Sequence, residues 1–235
     1  MPRLRGPLHP LPTLRHVAWA AALALGTVAG AFMLGLGLSY LAEPFNLDRG
    51  ALIALGVMLG ATLTGFGIGY IGFRRSCGWG RRELGFVAPA HSLWHLLWWI
   101  PLTVVVGAVG ASSLGHLLGL SADPSSATAD GLILPLPLVV TLVACVTVAV
   151  PLLEEVVFRR VLLDWLGRHL PMWLAAGIVI LAFTVAHVSP AAMVYLIFTS
   201  ASLIMARLWF GTLTAPVIIH AVNNALASLI VVLPG

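Results

Sequence analysis

Leu132–Arg160 reads LILPLPLVVTLVACVTVAVPLLEEVVFRR. Leu132 through Val150 carries no charged residue, and the next ten residues, Pro151–Arg160, carry four. About 20 apolar residues in helical form, rising about 1.5 Å each, span a hydrocarbon core of about 30 Å. In lipid every backbone amide must find its partner within the protein, which leaves α-helices and closed barrels. Here the apolar character is continuous rather than alternating, so the helix is the expected form.

Runs of the same kind recur along the chain. Seven spans are expected, at about 17–41, 51–73, 94–118, 132–152, 171–188, 191–209 and 213–232. The expected fold is therefore all-α, a polytopic transmembrane helix bundle. Composition agrees: of 235 residues 60% are hydrophobic and only 9% charged, against about 25% charged in soluble domains. So few polar groups cannot cover a surface facing water.

Orientation follows from arginine. The chain has no Lys, so its basic charge is twelve Arg. Arg3, Arg5 and Arg15 precede the first run; Arg74, Arg75, Arg81 and Arg82 follow the second; Arg159, Arg160 and Arg168 follow the fourth; Arg207 ends the sixth. Placing the N-terminus in the cytoplasm puts all but Arg49 on the cytoplasmic half, while Glu43, Asp48, Asp123 and Asp130 fall on the other. The positive charge is spread over loops rather than gathered on one polar face, so no nucleic-acid partner is expected. The segment Met1–His16, MPRLRGPLHPLPTLRH, is basic and Pro-rich. The apolar run after it is too long for a signal-peptide core and is expected to stay as the first span. Ser121–Gly131 reads as an external loop and Gly78–Phe86 as an interfacial one. Cys77 lies in a polar loop and Cys145 in an apolar run, so no disulfide is expected. The chain divides into residues 1–131, a tail with three peripheral spans, and 132–235, a core that carries the chemistry.

Ionisable residues within apolar segments are costly and mark function by default. They form three clusters: Pro151–Arg160 (PLLEEVVFRR), Phe183–His187 (FTVAH) and His220–Asn224 (HAVNN). Residues four apart share a helix face. Glu155 and Arg159 can therefore pair, Phe183 aligns with His187, and His220 with Asn224. Glu154 points about 100° away from Glu155 and is left for another partner. A hairpin turning at Arg168–Pro171 would bring the carboxylates and His187 to similar depth. An unbroken helix from Leu132 to Arg168 would be too long, so a kink or break is expected near Pro151.

Two carboxylates, two imidazoles and an amide around one cavity suit water-mediated amide hydrolysis. A carboxylate in a poorly solvated site is a better base than one in water. A His can help hold the water and pass the proton to the leaving amine. The second His and the Asn can donate to an oxyanion. His91, His95, His116 and His169 lie near span ends and read as interfacial, as do Trp94, Trp98 and Trp99.

The clusters resemble the pattern EExxxR, FxxxH, HxxxN of the CPBP family (CAAX protease and bacteriocin-processing, or Abi), over about residues 140–232. The flanking text is similar too: the family's APxxEExxFRG stands here as AVPLLEEVVFRR, 149–160, and the last motif is entered through Gly211-Thr212-Leu213. The resemblance implies an intramembrane glutamic endopeptidase. Glu154 and His187 would activate water, His220 and Asn224 would form the oxyanion site, and Glu155, Arg159 and Phe183 would support them. Arg160 departs from the family's Gly and adds a large cation near the site. No cofactor is expected. Zinc ranks behind a glutamate-activated water, because the spacing is not H-E-x-x-H. The expected partners are a peptide or protein substrate at the membrane and the lipid bilayer. The expected location is a bacterial inner (plasma) membrane. Two further readings are a non-catalytic immunity factor or scaffold and a proton-coupled transporter. No internal repeat supports the latter.

Overall fold

The computed structural model describes residues 6–119, 131–187 and 189–232, so the expected loop at 121–131 lies outside the described residues except for Gly131. Among the described residues all regular structure is helical. The principal helices are α1 (Leu14–Ser39), α2 (Arg49–Ser76), α3 (Leu93–Leu117), α4 (Leu136–His169), α5 (Met172–Val185), α6 (Pro190–Phe210) and α7 (Thr214–Val232). Local chemistry sets several boundaries. The Asp48 side chain accepts from Ala51 N–H at 2.8 Å to start α2, and Ser92 accepts from Trp94 N–H before α3. Pro190 occupies the first turn of α6, and Gly211, at φ 64°, ends that helix in a left-handed cap.

Among the described residues five helices are long and apolar enough to cross a membrane: α1, α2, α3, α4 and, from Ala192, α6. The expected run at 171–188 is shorter. α5 has 14 residues, about 21 Å of rise against a core of about 30 Å. Ala186 and His187 lie in the turn after it. Exposed Leu25, Phe32, Met33, Val109, Trp173 and Leu181 form the apolar exterior. This exterior fits a lipid solvent and makes the chain a multi-pass membrane protein.

Where a kink or break was expected near Pro151, the helix is not broken. α4 runs through 34 residues, with π turns at Cys145–Ala149 and Val156–Leu162 on either side of the proline. The wider π turns take up the bonding register around a residue that has no N–H. The far end of α4 holds its charged residues in a buried cluster. Arg160 donates to Asp164 at 2.7 Å, to Glu83 O at 2.7 Å and to Pro10 O at 2.6 Å. Arg207 of α6 bonds the same Asp164 and Gly6 O at 2.9 Å. Arg15 reaches Ser76 Oγ at 2.8 Å. The start of α1, the end of α2 and the arginine-bearing ends of α4 and α6 therefore gather at one end of the bundle, and the N-terminal segment is strapped across it.

α1 and α2 pack through glycine. A Cβ on Gly60 would lie 2.1 Å from Gly30 O, and one on Gly56 would lie 2.6 Å from Leu34 O. Gly26–Gly30 (GTVAG) and Gly56–Gly60 (GVMLG) are small-xxx-small pairs of the type that lets membrane helices approach closely. Gly65 then admits Leu153 of α4, whose Cδ1 would lie 2.4 Å from a Cβ there. The glycine-packed pair thus abuts the residue before Glu154. Gly60→Val is expected to lower stability in detergent by about 1–3 kcal/mol through overpacking. Gly67→Ala, with nothing within 4 Å, should be neutral or stabilising by up to about 1 kcal/mol. Thermal unfolding compares the two, and equal effects would refute the close approach.

Candidate active site

The site starts from one buried carboxylate. Glu155 and Arg159, four residues apart on α4, are both fully buried. They form an ion pair with Nη1 to Oε1 at 2.9 Å. The same Glu155 oxygen lies 2.9 Å from His220 Nδ1 on α7. Arg159 Nη2 donates to Ser200 Oγ of α6 at 2.9 Å, and its guanidinium lies 4.3 Å over the Phe183 ring of α5. Four helices therefore meet at one charge cluster, and the expected Glu155–Arg159 pair is present.

Glu154 faces the other way, as the 100° rotation between neighbours requires. Its side chain is 23% exposed. Oε1 lies 3.8 Å from His187 Nε2 and Oε2 lies 3.5 Å from His220 Nε2. The other ring nitrogens are committed. His187 Nδ1 stands 2.9 Å from Phe183 O, which can only accept, so Nδ1 carries hydrogen. His220 Nδ1 faces a carboxylate already engaged by Arg159, which assigns its hydrogen in the same way. In both neutral rings Nε2 then offers a lone pair toward Glu154. Phe183 packs beneath them, 4.7 Å from the His187 ring and 5.8 Å from that of His220.

A cavity of about 460 Å³ opens here, lined by Glu154, His187, Tyr195, His220, Asn223 and Asn224. A second, of about 370 Å³, shares Glu154 and His187 and is closed by Leu23, Thr27 and Met58 of α1 and α2. Asn224 donates to Val146 O at 3.0 Å. Val146 lies in the first π turn of α4, so that turn places a carbonyl for the amide. One Asn224 N–H remains for another acceptor. Among the described residues no group of three His, Cys, Asp or Glu is arranged to hold a metal ion.

Two features differ from the sequence reading. Arg160 is not beside the site: it points to the opposite side of α4, over the Trp79 ring at 4.4 Å and onto Asp164. The i, i+4 spacing of Arg160 and Asp164 already signalled that pair. The sequence reading also missed Tyr195, whose phenol donates to Asn223 Oδ1 at the cavity wall. Its ring seats against Gly107 of α3, where a Cβ would lie 2.6 Å away. Nothing local to Tyr195 announces this, because it depends on a small residue in a distant helix.

Residues 135–226 match the family model described as type II CAAX prenyl endopeptidase Rce1-like, a stretch that contains all three motifs. This agrees with the CPBP resemblance. No curated protein and no solved structure matches the chain.

Removing one partner of a buried ion pair strands the other. Arg159→Met is expected to destabilise by about 3–5 kcal/mol, measured as unfolding in detergent. Glu154→Gln, at a partly exposed position outside that pair, should change stability by no more than about 0.5 kcal/mol. A fully stable Arg159→Met protein would contradict this picture of the site.

Proposed function

We propose that this Rce1-like segment makes the chain an intramembrane endopeptidase that uses a glutamate-activated water. One observation carries the reading: the Glu154 carboxylate stands between two imidazole Nε2 atoms, at 3.8 and 3.5 Å. These separations exceed a direct hydrogen bond and suit a bridging group. The site is half-sheltered from solvent and lies within the bundle, where a peptide bond could enter from the membrane.

In this mechanism Glu154 takes a proton from water as the oxygen adds to the scissile carbonyl carbon. His187 Nε2 accepts a hydrogen bond from the same water and orients it. The carbonyl oxygen gains negative charge, met by the free Asn224 N–H and by His220 when its Nε2 is protonated. The C–N bond then breaks, and the proton held by Glu154 passes to the leaving amine, directly or through His187. Glu155 and Arg159 hold His220 in place without touching the substrate. Phe183 supports both rings. Asn223, fixed by Tyr195, completes the wall.

The same reading divides the chain at residue 131 into peripheral helices and a catalytic core, with α1 and α2 closing one side of the cavity. It counts seven helices across or into a bacterial plasma membrane. The arginine-rich end, where Arg15, Arg74, Arg160 and Arg207 lie, is placed in the cytoplasm. The substrate is a membrane-associated peptide or protein. The reaction as written needs no metal.

Glu154→Gln should abolish cleavage, a loss of at least about 10²–10⁴-fold for a general base, with the fold intact. Comparing peptides released in membranes that carry the native or substituted chain reads this out. Retention of native-rate cleavage by folded Glu154→Gln protein would overturn the assignment. Activity should also survive exhaustive treatment with a zinc chelator. Loss that is restored by added zinc would replace this mechanism with a metal-based one.

A further inference from the structure

A groove of about 510 Å³ lies outside the site, between α1, the C-terminal part of α2, α4 and the 78–86 loop. Leu23, Phe66, Phe73, Leu84, Leu153 and Val156 supply an apolar wall. Its size falls within the range of small-molecule sites, about 300–1,000 Å³. Trp79 also lines it and is a fixed part of the wall, buried and held by His16 at 4.1 Å and Arg160 at 4.4 Å.

Arg74 and Arg81 line the same groove. Both are exposed. Neither has an ion-pair partner among the described residues, whereas buried Arg159, Arg160 and Arg207 each do. Arg75, next along the chain, lies instead over the Tyr70 ring at 5.4 Å. Between residues 74 and 83 the chain carries four Arg and one acid, Glu83. The Glu83 carboxylate is turned to Gly80 N–H at 2.8 Å. The groove therefore combines an apolar interior with exposed guanidinium groups that outnumber the one nearby carboxylate, at the end of the bundle where the arginines gather. That carboxylate, Glu83, lies within the electrostatic reach of Arg74 without forming an ion pair.

We propose that this groove binds an anionic phospholipid, one acyl chain along the Leu23–Val156 wall and the phosphate at Arg74 and Arg81. The charge and the apolar length must be satisfied together, and a phospholipid at the membrane surface offers both at this level. Guanidinium forks match phosphate oxygens in geometry and charge, and an anionic leaflet supplies the ligand locally. Leu23 and Leu153 also line the cavity that reaches Glu154 and His187. The bound chain would thus form part of the wall behind the candidate site. Binding itself does not depend on the peptidase reading.

The test measures lipid binding by the purified full chain in detergent, by native mass spectrometry. The probes are phosphatidylglycerol and phosphatidylcholine with matched acyl chains, and inorganic phosphate. Phosphatidylglycerol should bind about tenfold more tightly than phosphatidylcholine, and phosphate should neither bind measurably nor compete. Arg74→Gln with Arg81→Gln should abolish the preference. Arg75→Gln with Arg82→Gln removes the same charge from residues that do not line the groove and should keep it. Leu84→Trp, which fills the groove, should weaken both lipids; thermal unfolding checks that this variant folds, and Leu84→Phe is the milder substitute. Equal affinity for the two lipids, equal losses in the two arginine pairs, or competition by phosphate alone would each overturn the proposal.

Discussion

A single buried carboxylate, that of Glu155, organises the site. It accepts from Arg159 and from His220 at 2.9 Å each. A charge in so dry a place is tolerable when it is paired; both bonds fall on Oε1, while Oε2 makes no hydrogen bond within the protein, and the pairing holds its partners in one arrangement. The partners lie on different helices. Arg159 extends the cluster to Ser200 of α6 and to the face of Phe183 on α5, while His220 brings in α7. With Glu155 turned inward, Glu154 is carried about 100° around the helix into the cavity. The two adjacent carboxylates thus differ in environment: one fully buried and shared, the other partly open between two rings.

A second buried charge cluster, Asp164 with Arg160 and Arg207, holds the other end of α4. It bonds the backbone at Gly6, Pro10 and Glu83. Thr212 and Leu213, at the entry to α7, bond Gly85 O of the same loop at 3.1 and 2.9 Å. Gly85, at φ 95°, is held between Leu8, Leu213 and Arg160, where a Cβ would crowd Leu8 at 2.8 Å and Leu213 at 3.0 Å. The last motif therefore enters the bundle from an anchored point. Packing without charge does the rest: glycines on α1 and α2 let the peripheral pair close against Leu153.

The helical fold and the three motifs were legible because each is written within one segment. Continuous apolar runs have one solution in lipid, and the spacing of Glu155 and Arg159 fixes their pairing. Counting rise along a hairpin put Glu154 and His187 at similar depth, but it did not place His220, which lies on a third segment. Features that depend on two segments at once were not legible. The shortness of α5 reflects a turn at Ala186–His187, which an apolar composition hides. The proline at 151 announced a kink or break; the helix stays continuous through it, with π turns on either side. Arg160 has one partner, Asp164, written within its own segment, but the backbone partners that draw it away from the site, Glu83 and Pro10, are far away in sequence. The glycine pairs of α1 and α2 stood in plain view, yet gained meaning only from their opposition.

The most direct test concerns the Glu154 carboxylate between its two imidazoles, read by nitrogen NMR of His187 and His220 in the solubilised chain. The geometry predicts Nδ1–H in both neutral rings and displacement of both Nε2 signals when Glu154 becomes Gln. Nε2 signals that ignore the substitution in a folded protein would contradict it.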